Sequence, residues 1–341
     1  MQAAVLTRFG EPLEVQEIDD PTPAPGEVLV RTRAAGICRT DLKVVDGAIP
    51  TVATPLVPGH EIAGEVAALG NGVAGVEEGD RVTVSLDLAC GHCGYCRSEQ
   101  ANYCANLRRL GFEADGGLAE YVRVPAENLI VVSDNVTFEE AATIPDAVGS
   151  PYHAVVNRAD VRPGHTVAVY GLGGLGLMAV QVAALAGAEV IAIARTPERL
   201  ELAREFGAAA TVDPNEGDIS NQLRDLTGGM GVHSFVDLVG IEGSVAQGVN
   251  SCRKGGRVVV VGYFVPDFTG SMIQLVYNEV AVMGSRGSTR AELRQAADLV
   301  GNGRLRPVIG KTISLEDIES EGMASLRDGS VIGRIVVAFE R

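Results

Sequence analysis

Short apolar runs broken by glycine and proline fill the first third of the chain: Glu27-Val-Leu-Val-Arg-Thr-Arg33, Gly64-Glu-Val-Ala-Ala-Leu-Gly70 and Asp80-Arg-Val-Thr-Val84. Runs of strand length between turn residues predict a twisted, β-rich unit rather than a helical one. Pro21-Thr-Pro-Ala-Pro-Gly26 reads as a stiff, extended lead-in to the first of these strands. Between Asp146 and Arg158 the texture changes. From there, apolar runs at 166–170, 190–194, 234–238 and 257–261 alternate with helical patterns, as a parallel sheet requires. Residues 174–186 carry apolar positions at helical spacing, with Gly187 just past the end. Pro197 opens the next helix at a position where proline is tolerated, and Gly207 closes it. The tail from Ala291 onward offers one helical stretch and a closing strand at 334–339, which can return to the first unit and make it discontinuous. The expected class is α/β: a doubly wound parallel-sheet unit together with a β-rich one.

Composition narrows the function. At 341 residues the length prior is about two domains. With 28 Lys and Arg against 44 Asp and Glu, the formal charge is −16, which repels polyphosphate and argues against a nucleic-acid partner. No apolar run approaches the ~18 residues of a membrane span; Val258 to Val261 is strand-sized. The Met1-Gln2-Ala3-Ala4-Val5 start has neither a basic region nor an apolar signal core, so a cytoplasmic protein without membrane association is expected. The 42 glycines imply many tight turns and close backbone approaches.

Six cysteines in such a chain are better read as metal ligands or buried thiols than as disulfides. Cys90, Cys93, Cys96 and Cys104 fall in one short stretch, and four thiolates so spaced can close a tetrahedron around a zinc ion, with no position left open. The alternative is a set of inert buried thiols. A second signal is Gly171-Leu172-Gly173-Gly174-Leu175-Gly176, directly after one candidate strand and opening a helix. In that context the glycines allow the tight turn and bring backbone N–H groups and the helix N-terminus to a pyrophosphate. The alternative is a glycine-rich turn with nothing bound. A third is Gly36-Ile-Cys38-Arg39-Thr40-Asp41 followed by Gly59-His60-Glu61, where Cys38 and His60 form a soft pair of candidate zinc ligands from separate segments.

Together these motifs resemble the zinc-dependent medium-chain alcohol dehydrogenases, over essentially the whole chain. The resemblance implies a GroES-like catalytic domain at 1–148 and 287–341, with a structural zinc lobe at 88–106, and a doubly wound Rossmann cofactor domain at 149–286. It implies hydride transfer between an alcohol or carbonyl and a nicotinamide cofactor, with two zinc ions per chain. Cys38 and His60 match the family's catalytic ligands, and Asp146, in Thr143-Ile-Pro-Asp146, stands where members carry Cys or Asp. Glu61 matches a glutamate close to the metal that ligates it in some members. Asp41 matches the carboxylate that fixes the zinc-bound histidine, and Thr40 the hydroxyl that hydrogen-bonds the substrate alcohol. Cys90, Cys93, Cys96 and Cys104 match the structural lobe. Arg39 and Arg334 join the glycine loop as cofactor-binding candidates.

The chain departs from the family in places. Lys43 stands where many relatives end a proton relay with histidine, so it either relays or is simply solvated. Arg286 replaces an apolar pocket residue and is read as a subunit contact before an anion-binding group, while Cys252 is read as an inert core thiol. The residue closing the second parallel strand, where NAD users carry an acid, is Ala194; Arg195, Thr196 and Arg199 follow. A guanidinium and a hydroxyl there suit a 2′-phosphate, so NADP(H) is expected over NAD(H). The alternative is that both arginines are ordinary solvated residues. A polyol or amino-alcohol dehydrogenase on the same scaffold is the runner-up; a non-enzymatic relative would be expected to have lost the zinc ligands that this chain keeps. The family's bacterial branch implies a homotetramer, with a homodimer as the alternative.

Overall fold

The computed structural model describes residues 1–264 and 267–339. The chain divides into two units, Met1–Gly149 with Ser288–Arg341, and Ser150–Gly287. No helix among the described residues is long and apolar enough to cross a membrane.

In the first unit, the strand Glu27–Ile37 is the hub. It alternates buried and part-buried residues along most of its length, as a strand with one face on a core does. It pairs antiparallel with Glu61–Leu69, with Tyr121–Pro125 and with the closing strand Arg334–Ala338. The tail therefore returns to the sheet of the first third, Ile335 opposite Ile37 and Val336 opposite Gly36. The tail also contains a strand, Ile309–Ile313, that the sequence pattern did not announce; it lies parallel to Arg334–Ala338 at the sheet edge. Arg81–Val84 and Leu129–Val131 extend the sheet on the other side. One core packs Ile37, Leu6, Val44 and Leu118 with Ile335 and Val337, and a second packs Val28, Val30, Ile62 and Val82.

The second unit is a six-stranded parallel sheet in the order Ala208–Val212, Glu189–Ile193, Thr166–Tyr170, Val232–Asp237, Cys252–Val260, Ala281–Gly284. Thr166–Tyr170 and Glu189–Ile193 are buried at every residue but the first, so they read as continuous apolar runs rather than alternation. Three of these strands start before the expected positions, most of all Cys252–Val260, whose first residues pair across an irregularity between Val232 and Ser234. Helices Gly174–Leu185 and Pro197–Glu205 follow the first two strands. Both are followed by glycines of positive φ, Gly187 at 84° and Gly207 at 102°, a conformation that costs a side chain steric strain. Among the described residues Phe235 is the largest fully buried side chain; truncation to alanine there removes about 3–5 kcal/mol.

Candidate active site

Cys38 follows directly on the hub strand and caps the helix Arg39–Val45. Its thiol sulfur accepts the Thr40 N–H at 3.2 Å, and its own N–H donates to Asp41 Oδ2 at 2.8 Å. This reciprocal cap satisfies two amides that a helix start would otherwise leave unpaired. The other oxygen of Asp41 meets His60 Nδ1 at 3.1 Å. One fully buried carboxylate thus fixes both the cysteine backbone and the histidine ring, leaving Nε2 as the ligating nitrogen. His60 itself is held between the turn at Gly59 and the Phe112 ring, 5.1 Å away.

Asp146 arrives from a third segment, the wide helical turn Ile144–Val148 that continues Phe138–Thr143. Cys38 Sγ lies 3.4 Å from His60 Nε2, and Asp146 Oδ2 lies 3.8 Å from the same nitrogen. All three ligand atoms lie within 4.8 Å of one another. Donors ~2.0–2.3 Å from a tetrahedral zinc stand ~3.3–3.8 Å apart, so the two separations from His60 Nε2 fall in the range for one ion. Burial works against a charge on His60, but Asp41, the Cys38 thiolate and Asp146 outweigh it and raise the imidazole well above its usual value. A field that draws a proton into the site also favours a metal cation there.

Beneath the ligands sits a second charged layer. Glu61 is fully buried and accepts from Arg334 Nε at 2.9 and 3.0 Å, from Arg334 Nη2 at 2.5 Å and from the Ala147 N–H at 3.0 Å. Arg334 Nη2 also reaches Asp146 Oδ2 at 2.5 Å. Burial pushes Glu61 up to about 7 despite Arg334, while the carboxylates keep Arg334 charged against its own burial. Arg334 therefore differs from the cofactor role expected of it: its Nε and Nη2 are taken up by two carboxylates under the ligands, as a buried guanidinium requires. Gly36, which no sequence motif singles out for this purpose, makes room for this layer. A Cβ there would overlap Glu61 Oε2, because Gly36 and Glu61 are paired across the sheet.

Thr40 is part-exposed in the first turn of the capped helix, and Lys43 is half-buried one turn on. Burial lowers the Lys43 ammonium from its ordinary value against the pull of Cys38. Arg39 is exposed, its guanidinium near Gly329.

The cysteine quartet forms a separate cluster. Cys93 caps the short helix Gly94–Arg97 that carries Cys96, and Cys104 follows the turn Ala101–Tyr103. Sulfur separations of 3.5, 3.9 and 4.0 Å bracket the ~3.8 Å edge of a tetrahedral ZnS4 unit. Cys104 Sγ accepts the N–H groups of Cys90 and Asn106, which suits a thiolate. The lobe is pinned at its base where Asp87–Leu88 pairs with Arg108–Arg109. His92 turns its Nδ1 to the Cys90 carbonyl and stays outside the cluster. Cys252 is buried in the other unit, its thiol pushed up to about 12 by burial.

In the second unit, Gly171 leaves the strand Thr166–Tyr170 with φ 95°, and Gly173 caps Gly174–Leu185. A Cβ on Gly176 would overlap the Gly171 carbonyl, so Gly176 is required for the helix to pack on its own turn. A Cβ on Gly173 would meet nothing within 4 Å. Among the described residues the space beside Gly173 is therefore open, as a backbone that a pyrophosphate could approach closely would need. Leu172 is buried and Leu175 half-buried. Ala194 is buried at the end of the neighbouring strand; Arg195 and Thr196 are exposed, and Arg199 Nη1 lies 3.5 Å from the Leu172 carbonyl. Arg286 is exposed.

A dinucleotide-type parallel sheet and a three-donor metal cluster on one chain define the class of metal-assisted dehydrogenases. Residues 24–134 match the alcohol dehydrogenase GroES-like domain, and residues 174–302 match the zinc-binding dehydrogenase domain. An alcohol dehydrogenase of Geobacillus stearothermophilus is 37% identical over 342 residues, covering 100% of both chains. An NAD-dependent alcohol dehydrogenase of Sulfolobus acidocaldarius is 35% identical over 353 residues, covering 99% of each. The crystal structure of an NAD-dependent alcohol dehydrogenase matches with a TM-score of 0.94 at 33% identity, across 100% of each chain. The chain belongs to the zinc-type medium-chain dehydrogenase/reductase family.

Proposed function

We propose that the protein is a zinc-dependent alcohol dehydrogenase and carbonyl reductase of the cytoplasm, with zinc at both clusters and NADP(H) preferred to NAD(H). The observation that carries this reading is the count and support of donors at Cys38, His60 and Asp146: three protein ligands, oriented by Asp41, leave a tetrahedral ion one coordination position for substrate oxygen. Zinc would supply Lewis acidity to that oxygen and the nicotinamide the hydride acceptor.

The chain's own residues do the rest. Asp41 keeps His60 in the ligating tautomer. Arg334 neutralises Glu61 and steadies Asp146, so that the ligand carboxylate does not swing away. Thr40 holds the substrate hydroxyl and takes its proton, and Lys43, one turn along the helix, passes it to solvent. The glycine turn holds the pyrophosphate at the start of Gly174–Leu185.

The cofactor preference rests on Ala194, where no carboxylate repels a 2′-phosphate, and on exposed Arg195 and Thr196 with Arg199 beside the glycine turn. Thr196 makes no side-chain cap to the helix it precedes, which suits a hydroxyl used for a ligand. Six free cysteines suit a reducing compartment. Family likeness favours a homotetramer with Arg286 at a subunit contact; light scattering that reports a monomer refutes it.

The test is cofactor absorbance against primary, secondary, cyclic and polyol substrates in both directions. Turnover of none of them, with two metal equivalents bound, would sink the activity. For the cofactor, the ratio of kcat/KM for NADP(H) and NAD(H) is compared in the native protein and in Ala194→Asp/Arg195→Ala. A native preference for NAD(H), or a double variant whose preference stays put, would sink that part.

A further inference from the structure

The parallel sheet runs outward in both directions from Thr166–Tyr170: the chain first builds Glu189–Ile193 and Ala208–Val212 on one side, then Val232–Asp237 and its neighbours on the other. The switch point therefore lies between Thr166–Tyr170 and Val232–Asp237, where a crevice opens at the carboxyl ends of the strands. The glycine turn forms one wall. The other wall is the turn that follows Asp237, to which no sequence motif assigns a role.

Asp237 is fully buried, and among the described residues no cation pairs with it. Its Oδ1 accepts the N–H groups of Val239 and Gly240, both at 3.0 Å, and its Oδ2 accepts the Ser244 hydroxyl at 2.5 Å. Its carbonyl accepts the N–H groups of Val261 and Gly262, at 2.8 and 3.0 Å. Burial pushes the carboxyl up, against these hydrogen bonds. A buried carboxylate is costly unless its geometry is used.

Its surroundings show the use. A Cβ on Gly171 would stand 2.6 Å from Val239 Cγ2, and one on Gly262 would stand 2.6 Å from the Leu238 carbonyl and Val239. Gly240 has φ 63°, and a Cβ there would overlap the Gly262 carbonyl. The 238–240 turn is thus wedged between the glycine turn and the exit of the next strand, with Asp237 as its pin.

We propose that Asp237 is a positioning residue for the dinucleotide: its carboxylate fixes the 238–240 turn against Gly171, so that the two walls of the switch-point crevice meet the cofactor already set. This rests on the dinucleotide reading above. Without the carboxylate, Val239 is free to leave Gly171, and the phosphate turn loses its backing.

Dissociation constants for NADPH and NADH, from fluorescence titration well below the melting point, test this in the full-length protein with Asp237→Ala, Asp237→Asn and Ser244→Ala. Melting temperature without cofactor is measured alongside. Asp237→Ala should weaken binding about tenfold or more, the scale of losing several hydrogen bonds that order a turn. Asp237→Asn keeps an acceptor for Val239 and Gly240 and should stay within about threefold of native; Ser244→Ala, which removes one contact, should fall between. A lowered melting temperature with an unchanged dissociation constant in Asp237→Ala would make the residue merely structural and overturn the proposal. An asparagine variant as weak as the alanine one would also overturn it. If Asp237→Ala does not fold, Ser244→Ala decides, and native affinity there overturns the proposal. Failure of the native protein to bind either cofactor is a different result, and it removes the dinucleotide reading itself.

Discussion

The two clusters of metal-ligand side chains in the first unit are built on opposite plans. The quartet draws Cys90, Cys93, Cys96 and Cys104 from one short lobe, uses four like ligands, and is supported mainly by backbone N–H groups of the same lobe. The other draws Cys38, His60 and Asp146 from three distant segments and stands on charged side chains: Asp41 behind His60, and Arg334 with Glu61 beneath Asp146. A closed thiolate cage needs only local geometry. A cluster that keeps a position for substrate has fewer ligands, mixed in kind, and each must be held by something else. On the function proposed above, the charged support around Cys38, His60 and Asp146 sets that cluster apart from the quartet as clearly as the ligand count does.

The largest test of that contrast is metal removal. The three-donor cluster, with a carboxylate harder than thiolate, should lose its ion to a chelator first. Activity should fall to background as the first metal equivalent leaves, while circular dichroism stays native because the quartet keeps its ion. Full activity with one equivalent remaining would reverse the assignment of the two clusters.

Next in size is Arg334→Ala. It takes the guanidinium away from buried Glu61 and from Asp146, and breaking such a buried ion pair costs about 3–5 kcal/mol. Denaturant unfolding should report the loss, together with weakened metal retention at the three-donor cluster alone. A midpoint within error of native would show that the charged layer contributes nothing, and the contrast would reduce to ligand count. Gly36→Ala should move in the same direction by crowding Glu61 off the guanidinium.

How much of this was legible in the sequence follows from what each feature depends on. The quartet and the glycine turn are local spacings, and both read directly. The parallel strands read nearly as well, because burial on both faces makes them unbroken apolar runs. Ile309–Ile313 did not: Ile-Gly-Lys-Thr-Ile has a glycine at its second position, an exposed residue in every other place and only Ile313 buried, so its pattern is too weak to stand out. The role of Gly36 was hidden for a different reason. A glycine that makes way for a side chain from another strand shows only once the register of Gly36 opposite Glu61 is known. Arg334 is the same case at longer range, since its partners lie 273 and 188 positions away. The Asp237 carboxylate has its partners within seven positions, yet an acid at a strand end carries no pattern that separates it from solvent-facing acids.

The smallest effects lie along the helix that Cys38 caps, and they test whether the open position is used for proton transfer at all. Thr40 is two residues from the ligand, with its N–H on the Cys38 sulfur, so its hydroxyl moves with the metal site. Thr40→Ala should lower kcat by ~10²-fold, the scale of a general acid–base contribution, with both metals retained. Thr40→Ser keeps the hydroxyl and should recover most of that rate. Lys43 lies further from the ligands and already has a lowered affinity for its proton through burial. Water can take over from a group at the end of a relay, so Lys43→Ala should cost only a few-fold in kcat and be partly rescued by added small amines. The ratio of the two losses is the measurement. Equal losses would mean that the proton does not leave by way of Thr40 first, and a Lys43 loss exceeding the Thr40 loss would make the lysine the group that meets the substrate.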